Sequence, residues 1–188
     1  MKRHKTLLDQ QQCLMMVIDI QEKFVPHINE MNRVVSRSGK LIDAINLLNI
    51  PVIVTEQYPT GLGPTCQDIK SHLTNKTQII AKTSFSCCQE EAISSAIKAH
   101  HRQQIILCGI ETHVCVAQTA MDLIENGYQV TIATDTVSSR DPFETAIALS
   151  RLSQTNISLS TTESICMELC VSSNHSAFKE ISGLIKQT

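Results

Sequence analysis

Short apolar runs and amphipathic stretches alternate along the whole chain. "CLMMVIDI" (residues 13–20), "PVIVTE" (51–56), "QIIAK" (78–82), "QIILCGI" (104–110), "QVTIATD" (129–135) and "ISLS" (157–160) each have the length and apolar density of a buried strand. Between them the period changes. Val34, Leu41, Ile45 and Leu48 share one stripe of a helix over 34–48, and "CQEEAISSAIKAH" (88–100) reads as a second helix. Ala117, Ala120, Met121 and Ile124 recur at i, i+3, i+4, i+7 in a third, which Asn126-Gly127 closes. Asp141, Pro142 and Glu144 form an N-cap, a first-turn proline and a capping-box glutamate for a fourth, running to about 152, and a last helix covers roughly 176–186. "YPTGLGPT" (58–65), rich in glycine and proline, reads as loop.

Continuous apolar strands, each followed by a helix, imply a mainly parallel sheet covered on both faces. The expectation is a six-stranded, doubly wound, Rossmann-like α/β domain of three α-β-α layers spanning residues 1–188, with 1–11 as a flexible N-terminal segment. At 188 residues and 42% hydrophobic, the chain can bury a substantial core, which excludes a disordered chain. Charged residues make up only 18% and the net charge is −2, so no basic face offers itself to nucleic acid or an anionic membrane. Low charge also suggests surface covered by further copies of the chain, a dimer or higher homo-oligomer. No apolar run reaches the ~20 residues of a membrane span. Of the eight cysteines, Cys13 and Cys108 lie in strand-like runs and Cys166 and Cys170 at helical spacing, with no CxxC pair, which argues against a disulfide framework. A reducing, cytoplasmic compartment follows. Mitochondrial import is the alternative raised by the basic start, against which stand Asp9 and the lack of an amphipathic pattern.

In sheets of this kind ligands sit at the carboxyl ends of the strands, where the strand order switches. Asp19, Glu56-Gln57-Tyr58, Lys82, Gly109-Ile110 and Asp135 stand at those ends, and Cys115 follows within one helical turn. Taking Thr112 as N-cap places Cys115 at about N3, where the helix dipole favours a thiolate. Each residue also has a plainer reading: Cys115 as a small core residue, Lys82 as a snorkelling surface lysine, Asp19 as a turn residue. Their arrival on one rim is what argues for chemistry, since the plainer readings would require three independent placements. His113 is two residues from Cys115 and does not face it on a helix, so a Cys–His dyad is disfavoured. Cys87-Cys88 reads as packing. GxGxxG, Walker, Gly-x-Ser-x-Gly and cysteine-phosphatase signatures are absent from the sequence.

"VIDIQEKF" (17–24), "AKTSFS" (81–86) and "CGIETHVCVAQTAMDLIENGYQV" (108–130) resemble the three signatures of the isochorismatase-like cysteine hydrolases. "PVIVTEQYPTGLGPT" (51–65) resembles the isochorismatase domain-containing branch, and the likeness runs from about 12 to 186. The resemblance implies a triad of Asp19, Lys82 and Cys115. Asp19 would take the thiol proton, Lys82 would hold the charges, and sulfur would attack a carbonyl to give a thioester. It also implies an oxyanion hole from the backbone N–H groups of Glu111 and Cys115, and a cis peptide between Ile110 and Glu111. Nicotinamidases of the family build a metal site on an Asp-x-His pair. Here Glu56, Asp68 and His72 occupy that region without the pair, so neither metal nor cofactor is expected. The retained Cys115 points to a small amide, ureido or related C–N substrate rather than the vinyl ether of isochorismatases proper. Gln21, Phe24, Tyr58, Phe85, Glu111 and His113, close to the triad in sequence, are the expected pocket wall, although Phe24 and Phe85 suit the core equally. The reading from a different class is a catalytically idle fold serving as an oligomeric scaffold.

Overall fold

The β-α alternation folds into one six-stranded sheet. The computed structural model describes residues 3–186. In chain order the strands are β1 (Cys13–Ile18), β2 (Val52–Gln57), β3 (Gln78–Lys82), β4 (Gln104–Ile110), β5 (Gln129–Ser138) and β6 (Ser158–Ser160). The helices are α1 (Met31–Leu47), α2 (Pro59–Leu62), α3 (Gln67–Lys70), α4 (Glu91–Ala99), α5 (Ala117–Glu125), α6 (Pro142–Leu152), α7 (Thr162–Cys170) and α8 (Phe178–Lys186). All pairings are parallel in the order β3-β2-β1-β4-β5-β6, so the chain winds outward one way from β1 and the other way from β4. The switch point lies between β1 and β4.

Side-chain alternation along the strands sorts the core into two layers. Met15 and Val17 of β1, with Ile106 and Cys108 of β4, pack under α1, α7 and α8. Leu14, Met16 and Ile18, with Ile105 and Leu107, pack against α4, α5 and α6. β1 is apolar at every position, and β4 at every position after Gln104, because both their faces are covered.

Gly109 allows the closest approach at the switch. Its φ is 121°, and a Cβ there would stand 2.1 Å from the Ile18 carbonyl oxygen. The β4–β5 register shifts at this point, between Leu107 and Gly109.

Several local expectations are corrected. The Gly/Pro-rich loop contains α2, which Pro59 starts from a left-handed Tyr58. α7 arises where no helix was expected: Thr161 caps it, accepting from Ser164 N, and Ile165, Cys166, Leu169 and Cys170 are buried. β5 runs beyond Asp135, whose carboxylate accepts from the Thr162 N–H and hydroxyl at the start of α7. From Arg3 onward the expected flexible segment is tied down. Arg3 donates to the carbonyls of Leu8 and Glu168, Leu8 N donates to Glu168, and the Leu8 side chain is buried. Residues 1 and 2 of that segment lie outside the described residues. Among the described residues no helix is long and apolar enough to cross a membrane.

Candidate active site

β1 ends at Ile18, and Asp19 then turns the chain out of the sheet with φ 55°, a left-handed conformation that aspartate tolerates better than most residues. Thr55, on the neighbouring β2, donates its hydroxyl to Asp19 Oδ1 at 2.7 Å. Asp19 Oδ2 has no hydrogen-bond donor but lies 2.8 Å from Lys82 Nζ, an ionic contact outside hydrogen-bond geometry. Lys82 is the last residue of β3, beyond β2 from Asp19, and its side chain is fully buried. Nζ also donates to Gln57 Oε1 at 2.5 Å, to the carbonyls of Ser84 and Phe85 at 3.1 and 3.2 Å, and to Cys115 Sγ at 3.5 Å. Those carbonyls belong to a loop held by Glu90, which accepts from the N–H groups of Ser84 and Thr83. The same bonds hold its carboxyl at about 2.

Two charges buried this closely stabilise one another only with such contacts in place. Burial works against the Lys82 ammonium, yet the negative charge beside it, the Asp19 carboxylate foremost, outweighs burial, and the pKa lies above its usual 10.5. Lys82 is therefore a fixed cation rather than a base.

Cys115 departs from its sequence placement. Thr112–Val116 form a π-helical turn behind Glu111, and α5 begins only at Ala117, so the thiol is not at the third residue of an α-helix. It is 6% exposed. Burial first, and then the Asp19 carboxylate, push the thiol well above its usual 9.0, with Lys82 opposing them. The resting sulfur keeps its proton, with a carboxylate at hand to receive it. The Ile110–Glu111 peptide at the head of this turn is cis.

A cavity of about 380 Å³ opens at this rim. Phe24, Gln57, Tyr58, Leu62, Phe85, Glu111, Val114, Cys115 and Arg140 line it. Of the expected pocket wall, Phe24, Tyr58, Phe85 and Glu111 line this cavity, and Gln21 and His113 do not. Gln21 is buried, bonding both backbone groups of Gln57 and the Gly63 carbonyl. His113 Nδ1 pairs with the Ser139 hydroxyl at 2.9 Å. Arg140, in the loop between β5 and α6, is the lining residue that periodicity could not find. Only its place after a strand end signalled it. A larger cavity of 500 Å³, lined by Asn49–Val52, Thr74–Thr77, His100 and Arg102, has neither cysteine nor carboxylate in its lining and lies where β2 begins. Glu56 bonds Thr65 and His72 bonds Asp43, and among the described residues no group of three His, Cys, Asp or Glu is arranged to hold a metal.

The Isochorismatase domain model matches residues 13–164. The chain is 44% identical over 177 residues to isochorismatase domain-containing protein 2 of Danio rerio, covering 92% of this chain and 86% of that one. The structure superposes on the MAR1 ribonuclease of Caenorhabditis elegans with a TM-score of 0.92 at 39% identity, over 96% of this chain and 93% of that one. The YcaC gene product of Escherichia coli, described as an octameric hydrolase of unknown specificity, superposes at 0.85 with 25% identity over 98% of this chain and 97% of that one. On sequence and fold, this chain belongs to the isochorismatase-like hydrolase family.

Proposed function

We propose that the protein is a cysteine hydrolase of small amides, ureides or related C–N substrates, with residues 1–188 forming one catalytic domain. The observation that carries this reading is the convergence of three groups from distant parts of the chain. Lys82 Nζ lies 2.8 Å from Asp19 Oδ2 and 3.5 Å from Cys115 Sγ, and Cys115 lines the cavity. The Cys115 proton passes to Asp19 as sulfur attacks the carbonyl carbon. The carbonyl π electrons move to oxygen, which the backbone N–H groups of Glu111 and Cys115 receive. Collapse of the tetrahedral adduct breaks the C–N bond, and Asp19 returns the proton to the leaving nitrogen. Water then adds to the thioester, giving its proton to Asp19. The C–S bond breaks, acid leaves, and the thiolate recovers the proton. Lys82 remains an ammonium throughout and offsets the charge that moves between oxygen and sulfur.

The raised Cys115 pKa supports a proton transfer coupled to attack rather than a standing thiolate. A catalytically idle scaffold is the competing reading. Retention of all three groups in mutual contact favours the enzyme. Ribonuclease, the activity in the worm relative's name, calls for a basic groove. A net charge of −2 and one arginine in the lining favour the small-molecule reading. A homo-oligomer in a reducing compartment such as the cytoplasm belongs to the same proposal. The octameric description of the bacterial relative supports the oligomer, as do the exposed Phe143 and Ile147 on α6.

The test is ammonia release from a panel of amides and ureides, with RNA cleavage run in parallel. Cys115→Ser is expected to lose at least ~10³-fold, and intact mass spectrometry should find an acyl adduct on the wild-type sulfur. Undiminished turnover by Cys115→Ser would sink the mechanism.

A further inference from the structure

The cavity lining carries two charged side chains, Glu111 and Arg140. They are not equivalent. Glu111 is almost wholly buried, and its Oε2 is already engaged. It accepts from Arg140 N at 2.9 Å and from Arg140 Nε at 3.3 Å. Arg140 is 68% exposed. Its terminal Nη1 and Nη2 make no hydrogen bond or ion pair with any described residue. Glu111 thus engages Nε and leaves the Nη1–Nη2 edge without a partner among the described residues. That edge, two parallel N–H donors on a rigid plane, matches the two oxygens of a carboxylate.

The backbone around Arg140 is built to hold it there. Asn29 N donates to the Ser139 carbonyl, His113 holds the Ser139 hydroxyl, and Ser138 Oγ donates to the Asn29 carbonyl. On the other side, Asp141 caps α6 by accepting from Phe143 N. A surface arginine with no task needs none of these ties. The rest of the lining, apart from Gln57 and the cysteine itself, is formed by Phe24, Tyr58, Leu62, Phe85 and Val114.

We propose that Arg140 is a specificity-determining residue that binds a substrate carboxylate, so that the substrates are small amides or ureides carrying an acid at the end remote from the scissile C–N bond. This rests on the hydrolase reading above and narrows it. Glu111, with one oxygen already committed to Arg140, is the holder of the arginine rather than a site for a substrate amine.

The probes are succinamate, glutaramate and N-carbamoylglycine, each beside its methyl ester. Ammonia release is measured for the wild type, Arg140→Lys and Arg140→Gln. Binding of the same acids to Cys115→Ser, and to Cys115→Ser carrying Arg140→Gln, is measured by calorimetry. For at least one acid, the wild-type kcat/KM is expected to exceed that of its ester by tenfold or more. Arg140→Gln should cut that ratio at least tenfold, with most of the change in KM, and Arg140→Lys should fall between. Acids and esters hydrolysed alike would overturn the carboxylate site and leave the hydrolase standing. Acid binding to Cys115→Ser that Arg140→Gln abolishes, with no amide hydrolysed by the wild type, would keep the site and remove the hydrolase. Acid binding indifferent to Arg140→Gln, or no binding of any of the three acids, would overturn the site.

Discussion

Replacing Lys82 by methionine tests the electrostatic logic of the site independently of any substrate. The side chains are similar in length, so the change removes the ammonium while largely keeping the volume. Four acceptors in hydrogen-bond geometry lose their donor: Gln57 Oε1, the Ser84 and Phe85 carbonyls and Cys115 Sγ. Asp19, 1% exposed, loses the cation 2.8 Å from its Oδ2 and keeps only the Thr55 hydroxyl on Oδ1. Removing one partner of a buried pair costs roughly 3–5 kcal/mol, because the other charge stays behind without compensation. For a chain of this size that lowers Tm by about 6–20 °C. Adding Asp19→Asn to Lys82→Met removes the stranded charge. The double variant is therefore expected to be more stable than Lys82→Met alone, by at least ~1 kcal/mol. Urea unfolding of the wild type, both single variants and the double variant at neutral pH gives the coupling. A Lys82→Met variant within 1 kcal/mol of wild type, or a double variant whose losses simply add, would refute the buried pair and the proton-transfer role built on it.

Other consequences follow from the same packing and charge. Because burial and Asp19 keep the Cys115 thiol protonated, iodoacetamide should label it slowly at pH 7 and faster as the pH rises past 9. Peptide mapping reads the rates, and labelling at pH 7 faster than that of free cysteine would contradict the assignment. The buried thiols of Cys13, Cys87 and Cys108 are each pushed up to about 12. A raised folded pKa means that their contribution is fully present below the unfolded value near 9 and is lost as the pH climbs toward the folded one. Urea midpoints should fall between pH 9 and 11, by about 1.4 kcal/mol per pH unit for each such thiol. Alanine at Gly109 would bring a Cβ to within 2.1 Å of the Ile18 carbonyl oxygen at a φ of 121°. A loss of at least about 3 kcal/mol is expected in chemical unfolding, and near-wild-type stability would show that β4 can move away from β1 at little cost.

The chain announces its strands because each central one is buried on both faces. Burial of that kind leaves a run of consecutive apolar residues, as in β1 and β4. Places where local bonding competes with periodicity were less legible. Thr161 starts α7 through a cap that a serine- and threonine-rich stretch does not distinguish from a turn, and Tyr58 starts α2 from a left-handed residue. The turn at Cys115 differs for a related reason. Hydrophobic spacing cannot separate a π-helical turn from the first turn of an α-helix, since both place Ala117 and Ala120 inward.

Sequence alone was sufficient for the six-strand parallel architecture, for the family, and for the rim on which Asp19, Lys82 and Cys115 emerge, because strand period and strand ends are properties of neighbours along the chain. Tertiary structure decided the rest. It carried the Lys82 side chain past β2 to a carboxylate, kept the Cys115 proton on sulfur and chose Arg140 over Gln21 and His113 for the lining. Those outcomes depend on distances and dielectric between residues far apart in sequence, and no pattern of spacing encodes either.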